Sequence, residues 1–399
     1  MIRVGFVLGA HWLGGVNYFR NLLNAVVALP DRQIEPVLFT GQETDVGKLG
    51  GFPAVEIVQS DWFDRMTPPW LLRKSWQQVF GRDPFLERLV RHHGNDVHSH
   101  ADPLGPNANM PTICWIPDFQ HRRLPHCFKP SERRYRDRSF MRQCRYGTRV
   151  IVSSVDAQRD LEAFAPAYVG KSRVLHFVAQ PEAGSEAPAL AELERRYGFA
   201  APYFHVPNQF WVHKNHRVIV DALGILKARG QEVLVIATGE PRDYRQPSHF
   251  SDLMEHAERL GVRSQFTPLG IVPYGDLVGL MCHAVALINP SRAEGWSTSV
   301  EEAKSIGKRI VLSDLPVHRE QAPPAGVYFD PDDPIGLADA LWHAWSVHDP
   351  VADQALVERA QSDLPARIQA FGRAYEQIVL EVAGVMEAWP TAAWQTGAV

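Results

Sequence analysis

The stretch from Ala284 to Ser313, AVALINPSRAEGWSTSVEEAKSIGKRIVLS, most narrows what this chain can fold into. It opens with an apolar, β-favouring run, Val285, Leu287 and Ile288, and stops at Asn289-Pro290, a pair that ends a strand. A short polar loop follows, then a helix expected to begin near Ser297–Ser299. The inner face of that helix is Val300, Ala303 and Ile306, its stop is Gly307, and a second strand comes next at Ile310-Val311-Leu312. Such a strand–loop–helix–strand unit belongs to a parallel α/β sheet, and ligands bind such sheets at the carboxyl edge of the strands. The unpaired N–H groups and positive dipole end of the new helix suit a phosphate.

The same alternation recurs along 399 residues, enough for two domains. Arg3 to Leu8 reads as a first buried strand, residues 9–15 as a glycine-rich loop, and Asn17 to Leu29 as a helix. Further strands are expected at Pro36–Thr40, Asp96–His100, Thr112–Ile116, Val150–Ser154 and Val174–Val178, with an exit loop running on to His121. Residues 180–190, QPEAGSEAPAL, form the best linker in the chain. The pattern then restarts: a strand at Tyr203–Pro207, a polar loop, a helix from Lys214 to Ala228, and strands near Val233–Gly239 and Gln265–Val272. A long helix is expected from Arg367 to Glu387.

Several function classes are excluded at this stage. The loop after the first strand has Gly14-Gly15 but neither Gly-x-Gly-x-x-Gly nor Gly-Lys-Ser/Thr, which argues against a dehydrogenase and a P-loop enzyme. The four cysteines, at 114, 127, 144 and 282, include no Cys-x-x-Cys pair, so neither a zinc site nor a disulfide scaffold is expected. A reduced, cytoplasmic setting fits this usage. The N-terminus reads as a strand and not as a signal peptide, and no apolar run is long enough to span a membrane. His98 and His100 lack a third ligand at metal spacing, so structural or hydrogen-bonding roles are expected. Asp330, Asp332 and Asp333 read as a turn and a helix cap.

Between His121 and Arg149, ten lysines and arginines stand against Glu132 and Asp137 alone. This is either a solvated helix face or an attraction for a phosphorylated lipid-linked acceptor or anionic headgroups. Nucleic acid is not expected as a partner, because the pI is about 6.5 and no aromatic-interleaved basic motif occurs.

Two carboxylates frame the central loop: Glu294 before the helix and Glu302 one turn into it, eight positions on. The spacing can place one on each side of a helix N-terminus, with amides for a diphosphate and charged acceptors for sugar and ribose hydroxyls. Ser299-x-x-Glu302 and Thr298-x-x-Glu301 also fit a capping box, so both readings of Glu302 stand at this point.

Glu294-Gly295-Trp296-Ser297-Thr298-Ser299-Val300-Glu301-Glu302 resembles the Glu-x7-Glu motif of retaining glycosyltransferases of family 4, with Gly-Trp-Ser-Thr-Ser replacing the usual Gly-Phe-Gly-Leu-Pro. This variant, with Pro207-Asn208-Gln209-Phe210-Trp211-Val212-His213-Lys214-Asn215-His216, is similar to the bacterial polysaccharide and O-antigen branch, including mannosyltransferases. The resemblance implies the GT-B fold: two Rossmann-like α/β domains facing across a cleft, here residues 1–180 for the acceptor and 190–366 for the nucleotide-sugar, with the helix near 367–387 crossing back to the first. It implies transfer of a sugar, with retention, to a hydroxyl of a cell-surface glycan or lipid-linked oligosaccharide. It implies, too, that no metal and no cofactor take part. GDP-mannose is the leading donor, followed by dTDP- and UDP-sugars.

Carried over residue by residue, Lys214 and Glu294 are the catalytic candidates, joined by Asp118 and His121 at the place of the family's His-Asp pair, where this chain has Pro117-Asp118. Lys214 would neutralise the diphosphate, with Asn208 at the place of the family's arginine and Arg292 as a further source of charge. Donor contacts are expected from Gly14, Gly15, Asn208, Gln209, Gly239, Ile271, Gly295, Trp296, Ser297, Thr298, Ser299 and Glu302. The Trp62–Trp76 segment is expected to be an irregular excursion beside the acceptor. A non-hydrolysing nucleotide-sugar epimerase and an inactive glycan-binding relative remain the alternatives.

Overall fold

The structure, a computed structural model, describes residues 1–8, 13–45, 51–180 and 187–384, with the main chain alone at 13 and 14. The chain divides into two compact units. One comprises Met1–Phe119, Arg134–Phe177 and Ala366–Val399; the other comprises Gln120–Arg133 and Val178–Pro365.

The first unit is built on parallel strands β1 (Ile2–Val7), β2 (Ile34–Thr40), β3 (Glu56–Gln59), β4 (Val97–Ser99), β5 (Thr112–Ile116), β6 (Arg149–Val152) and β7 (Ser172–Val174). Their order is β3-β2-β1-β4-β5-β6-β7 among the described residues. The second sheet contains β8 (Phe204–Val206), β9 (Val235–Thr238), β10 (Phe266–Gly270), β11 (Leu287–Asn289), β12 (Ile310–Ser313) and β13 (Gly326–Phe329). Its order is β10-β9-β8-β11-β12-β13, parallel throughout. Each sheet reverses direction beside its first strand, the arrangement of a Rossmann-like doubly wound sheet. The expected α/β class with two such domains is what the structure shows.

In chain order the helices are α1 (Leu13–Val27), α2 (Pro68–Phe80), α3 (Pro84–His92), α4 (Gln120–Arg123), α5 (Pro130–Tyr146), α6 (Val155–Phe164) and α7 (Leu190–Tyr197). They continue as α8 (His216–Ala228), α9 (His249–Arg259), α10 (Tyr274–His283), α11 (Thr298–Ile306), α12 (Pro316–Gln321), α13 (Pro334–Ser346) and α14 (Pro350–Val382). On one face of the second sheet, Val218 and Leu223 of α8 pack with Leu253 of α9 and Leu337 and Leu341 of α13. On the other, Leu193 of α7, Leu280 of α10 and Val300 and Ala303 of α11 form a separate core. The central strands are therefore covered on both sides, which is why β9 and β12 read as near-continuous apolar runs, while β8 buries His205 against Thr238 Oγ1 at 2.9 Å.

Four boundaries differ from the sequence expectation. Helix α1 starts at Leu13, so Gly14 and Gly15 lie in its first turn; residues 9–12 of the loop ahead of it are outside the described residues. Strand β7 ends at Val174, where the expected strand was to begin. The Trp62–Trp76 segment is not irregular: a 3-10 turn at Asp61–Phe63 leads into α2, with Thr67 as its N-cap, prolines in its first turn and Gly81 closing it at φ 66°. Its apolar side faces outward, so the usual periodic signal of an inward face is missing. The last helix begins at Pro350, well ahead of Arg367, and carries Pro365 inside it. Its residues to Pro365 group with the second unit, and those from Ala366 with the first.

Within the first unit α14 is held by polar contacts. Tyr375 donates to Ser99 Oγ at 2.7 Å, and Glu381 binds Arg149 and Arg173 at 2.6 and 2.5 Å. Among the described residues no helix is long and apolar enough to cross a membrane.

Candidate active site

Strands β8 and β11 are neighbours, but the helices that follow them pack on opposite faces of the sheet. Their exit loops diverge at that point, and a crevice opens there in doubly wound sheets. Residues 207–215 leave β8 and residues 290–297 leave β11. They carry Lys214 and Glu294.

The β8 loop is fixed from several sides. Phe210 is fully buried and stacks on His216 with ring centroids 4.4 Å apart. Asp243 accepts the Val212 N–H at 3.1 Å and pairs with Arg245, whose guanidinium lies 5.3 Å from the Trp211 ring. A 3-10 turn at Val212–Lys214 ends on Asn215 in the left-handed region, φ 57°, a conformation that asparagine tolerates. Its side chain donates to Pro290 O at 3.2 Å and Pro331 O at 2.9 Å, tying the loop to the exit of β11. Lys214 therefore precedes α8 and does not lie in it. Gly239, at φ 142°, closes against this loop: a Cβ there would meet Asn208 O and Gln209 Cα at 2.7 Å. Asn208 is buried, with no protein partner for its Nδ2 among the described residues.

The Lys214 ammonium donates to Glu294 Oε1 at 2.6 Å, and Ser291 Oγ donates to the same oxygen at 2.6 Å. Burial alone would raise the Glu294 carboxyl, but the Lys214 ammonium and the Ser291 hydroxyl hold it below the usual carboxylate value. His213, buried beside Lys214, is pushed down to about 3 and is neutral at ordinary pH. Its carbonyl accepts the Arg292 N–H at 2.8 Å. Arg292 itself is spent on an exposed pair with Asp332, so it is not aimed at the crevice pair.

The start of α11 is clamped by a buried amide. Gln321, the last residue of α12, accepts the Ser297 N–H at 3.1 Å and donates to Ser297 O at 3.0 Å and Glu301 Oε1 at 3.1 Å. Lys304 reaches Glu301 at 3.2 Å and Gln321 O at 2.8 Å, while Asn289 donates to Ser297 Oγ at 2.7 Å and Ser299 Oγ at 3.0 Å. Ser297 is the N-cap but makes no side-chain cap bond, and Glu301 is held by Gln321 and Lys304, so neither capping box forms. With the Ser297 amide occupied, the helix-end donors belong to Thr298 and the residues after it. Glu302 points elsewhere: with Ala179, Tyr274, Leu277, Val278, Met281 and Ile306 it lines a pocket between α10 and α11.

The remaining candidates are more scattered. Gly295 and Trp296 are buried in the β11 exit loop, Gln209 is half-buried, and Ile271 is 69% exposed. Asp118 is half-buried after β5 in the first unit; His121 is buried in α4, which groups with the second, its ring 6.4 Å from Phe128. His100 bonds Tyr18 Oη at 2.8 Å and Ser99 Oγ at 2.9 Å, and burial pushes it down to about 3. Among the described residues no cluster of His, Cys, Asp or Glu could hold a metal ion. Sequence reasoning missed Ser291, Asn289 and Gln321. The first two lie inside the stretch that carries the motif, whereas Gln321 lies beyond it and gave no signal.

Residues 201–362, all within the second unit, match the family model described as glycosyl transferases group 1. Solved structures of similar fold include a glycosyltransferase from Rickettsia africae, at 14% identity and TM-score 0.65 over 96% of this chain and 98% of that one. The Anabaena protein HepE, solved with UDP and glucose, is 15% identical with TM-score 0.66 over 95% and 99%. WaaG, a glycosyltransferase involved in lipopolysaccharide biosynthesis, is 17% identical with TM-score 0.62 over 94% and 99%. No curated protein matches the chain. The fold is that of GT-B glycosyltransferases, and the family match over the second unit supports a group 1 glycosyltransferase.

Proposed function

We propose that the protein is a metal-independent, retaining glycosyltransferase that moves a sugar from a nucleotide-sugar to a hydroxyl of a cell-surface glycan or lipid-linked oligosaccharide. The observation that carries this reading is the Lys214–Glu294 pair at the switch point of the second sheet, close in sequence to the amino end of α11. Lys214 brings one positive charge to the diphosphate, and the Thr298 and Ser299 amides bind its oxygens. Negative charge grows on that diphosphate as the sugar leaves, so groups fixed in advance lower the barrier. Glu294, kept ionised by its surroundings, accepts from donor-sugar hydroxyls. Glu302, on the wall of the α10–α11 pocket, accepts from the ribose, and the base lies along that pocket and the chain near Ile271.

The C1–O bond to the diphosphate breaks and a C1–O bond to the acceptor forms on the same face. The acceptor's proton passes to the departing phosphate oxygen, so no separate enzymic base is needed. Gly14, Gly15, Asp118 and His121 belong to this reading as donor and acceptor contacts on the strength of the family resemblance. GDP-mannose is the first donor to try, then dTDP- and UDP-sugars; HepE was solved with UDP and glucose. The setting that goes with the reading is the cytoplasm, with the basic 122–149 segment drawing a phosphorylated acceptor.

The test is product analysis by proton NMR, with each nucleotide-sugar incubated with and without a lipid-linked or glycan acceptor. Acceptor-dependent release of nucleoside diphosphate and a glycoside of unchanged anomeric configuration are expected. An isomerised nucleotide-sugar formed without acceptor would replace the proposal with an epimerase.

A further inference from the structure

Helix α2 is built inside out. Leu72, Trp76, Val79 and Phe80 share one side at helical spacing and are 50%, 39%, 72% and 59% exposed. Its arginine is the buried residue: Arg73 donates to Asp83 Oδ2 at 2.6 Å and to Trp62 O at 3.1 Å. Asp83, itself buried, also caps α3 by accepting the Leu86 N–H at 3.0 Å. A buried ion pair is costly to break, so it pins the rotation of α2 and holds the apolar side outward.

A cationic strip adjoins this face. Arg142 of α5 donates to the carbonyl of Gly81, the residue that closes α2, at 3.2 Å. Arg134, Arg138, Met141 and Arg145 lie on one side of α5 and are exposed, Arg142 borders them, Glu132 lies across the helix, and half-buried Asp137 sits at the margin.

We propose that α2 and the exposed side of α5 dock the protein on an anionic lipid bilayer. Leucine, valine, phenylalanine and tryptophan on a surface helix suit the boundary between acyl chains and headgroups. Guanidinium groups beside them suit anionic headgroups. A bilayer satisfies both features at once, and this does not depend on the reaction performed by the second unit.

The experiment is flotation of the full chain with vesicles of phosphatidylcholine alone and of phosphatidylcholine mixed with phosphatidylglycerol. Binding to the anionic vesicles is expected, weaker in 1 M NaCl, where charges are screened beyond about 3 Å. The triple variant L72S/V79S/F80S is expected to bind about tenfold less or weaker still, and R134Q/R138Q/R145Q to lose the preference for anionic lipid. Both variants should keep the wild-type melting temperature and the wild-type affinity for nucleoside diphosphate. That separates failure here from failure of the transferase reading. Binding unchanged in the folded variants would overturn the proposal. So would absence of binding, or a concentration-dependent dimer that the serine variant abolishes while vesicles go unbound.

Discussion

Lys214 Nζ lies 2.6 Å from Glu294 Oε1, and the two residues stand on the exit loops of adjacent strands that send their helices to opposite faces. One contact thus combines the only cation of the β8 loop with the first carboxylate of the Glu-x7-Glu motif. K214A and E294A are each expected to lower turnover at least about a hundredfold, the range for loss of one key electrostatic group. Each also leaves a buried charge unpaired, at a cost of about 3–5 kcal/mol in stability. The double variant K214M/E294M separates the two effects. Denaturant melts should show it more stable than either single variant, while turnover stays lost. Near-normal turnover in any of the three would remove the pair from catalysis.

Gln321 touches no expected ligand atom, yet three of its hydrogen bonds set where α11 begins. In Q321L, Ser297 and Glu301 lose buried partners, which costs about 1–3 kcal/mol each when uncompensated. A displaced helix start should raise the KM for donor and lower kcat by about ten- to a hundredfold, since a shift of about 1 Å can cost that much. Q321E retains the acceptor for the Ser297 amide but sets a second carboxylate beside Glu301. It is expected to be worse in stability than in its KM for donor, and steady-state kinetics with thermal melts would show this split.

Gly239 holds a backbone conformation that side chains rarely adopt, with the β8 loop against it. G239A is expected to destabilise by more than about 1 kcal/mol and to push Asn208 and Gln209 outward. Calorimetry should then show weaker nucleoside-diphosphate binding. Unchanged stability and affinity together would mean that the two loops are not coupled.

Acid sensitivity follows from His100. Burial among Tyr18, Trp115 and Tyr375 depresses its folded value to about 3, below the ordinary value near 6.5. The unfolded chain therefore takes up the proton first, and stability fully present above about pH 6.5 falls as pH drops toward 3. One such group contributes a slope of at most about 1.4 kcal/mol per pH unit. Urea titrations at several pH values should give H100N a shallower loss between pH 6.5 and 5 than wild type. Equal slopes would contradict the assignment.

Much of the architecture was legible because central parallel strands are apolar on both faces and end on loops with clear punctuation. Asn289-Pro290 ends β11 and Gly307 closes α11, as their residue types imply. The segment from Pro68 to Phe80 was illegible for the opposite reason: Arg73 is buried and Leu72, Val79 and Phe80 are exposed, which inverts the usual pattern. Helix α14 starts at Pro350 and not near Arg367, because it runs on through Pro365 where a helix interior normally excludes proline. At the site, the spacing of the two carboxylates points to Glu294 and the family resemblance to Lys214, but the residues that hold the site in place carry no such signal. Gln321 acts through an amide with no motif around it, and the role of Ser291 depends on a 2.6 Å contact that spacing does not encode.

The most direct measurement is a thermal-shift series on the full chain with GDP, UDP, dTDP and ADP, repeated on K214M/E294M. A nucleotide that binds the folded state raises its melting temperature by mass action, by about 2.7 kcal/mol of added stability at a hundred times Kd. One diphosphate should raise the wild-type melting temperature and leave the double variant unmoved. If none of the four moves the wild type, or if one moves both proteins equally, no diphosphate is held by Lys214 at the start of α11.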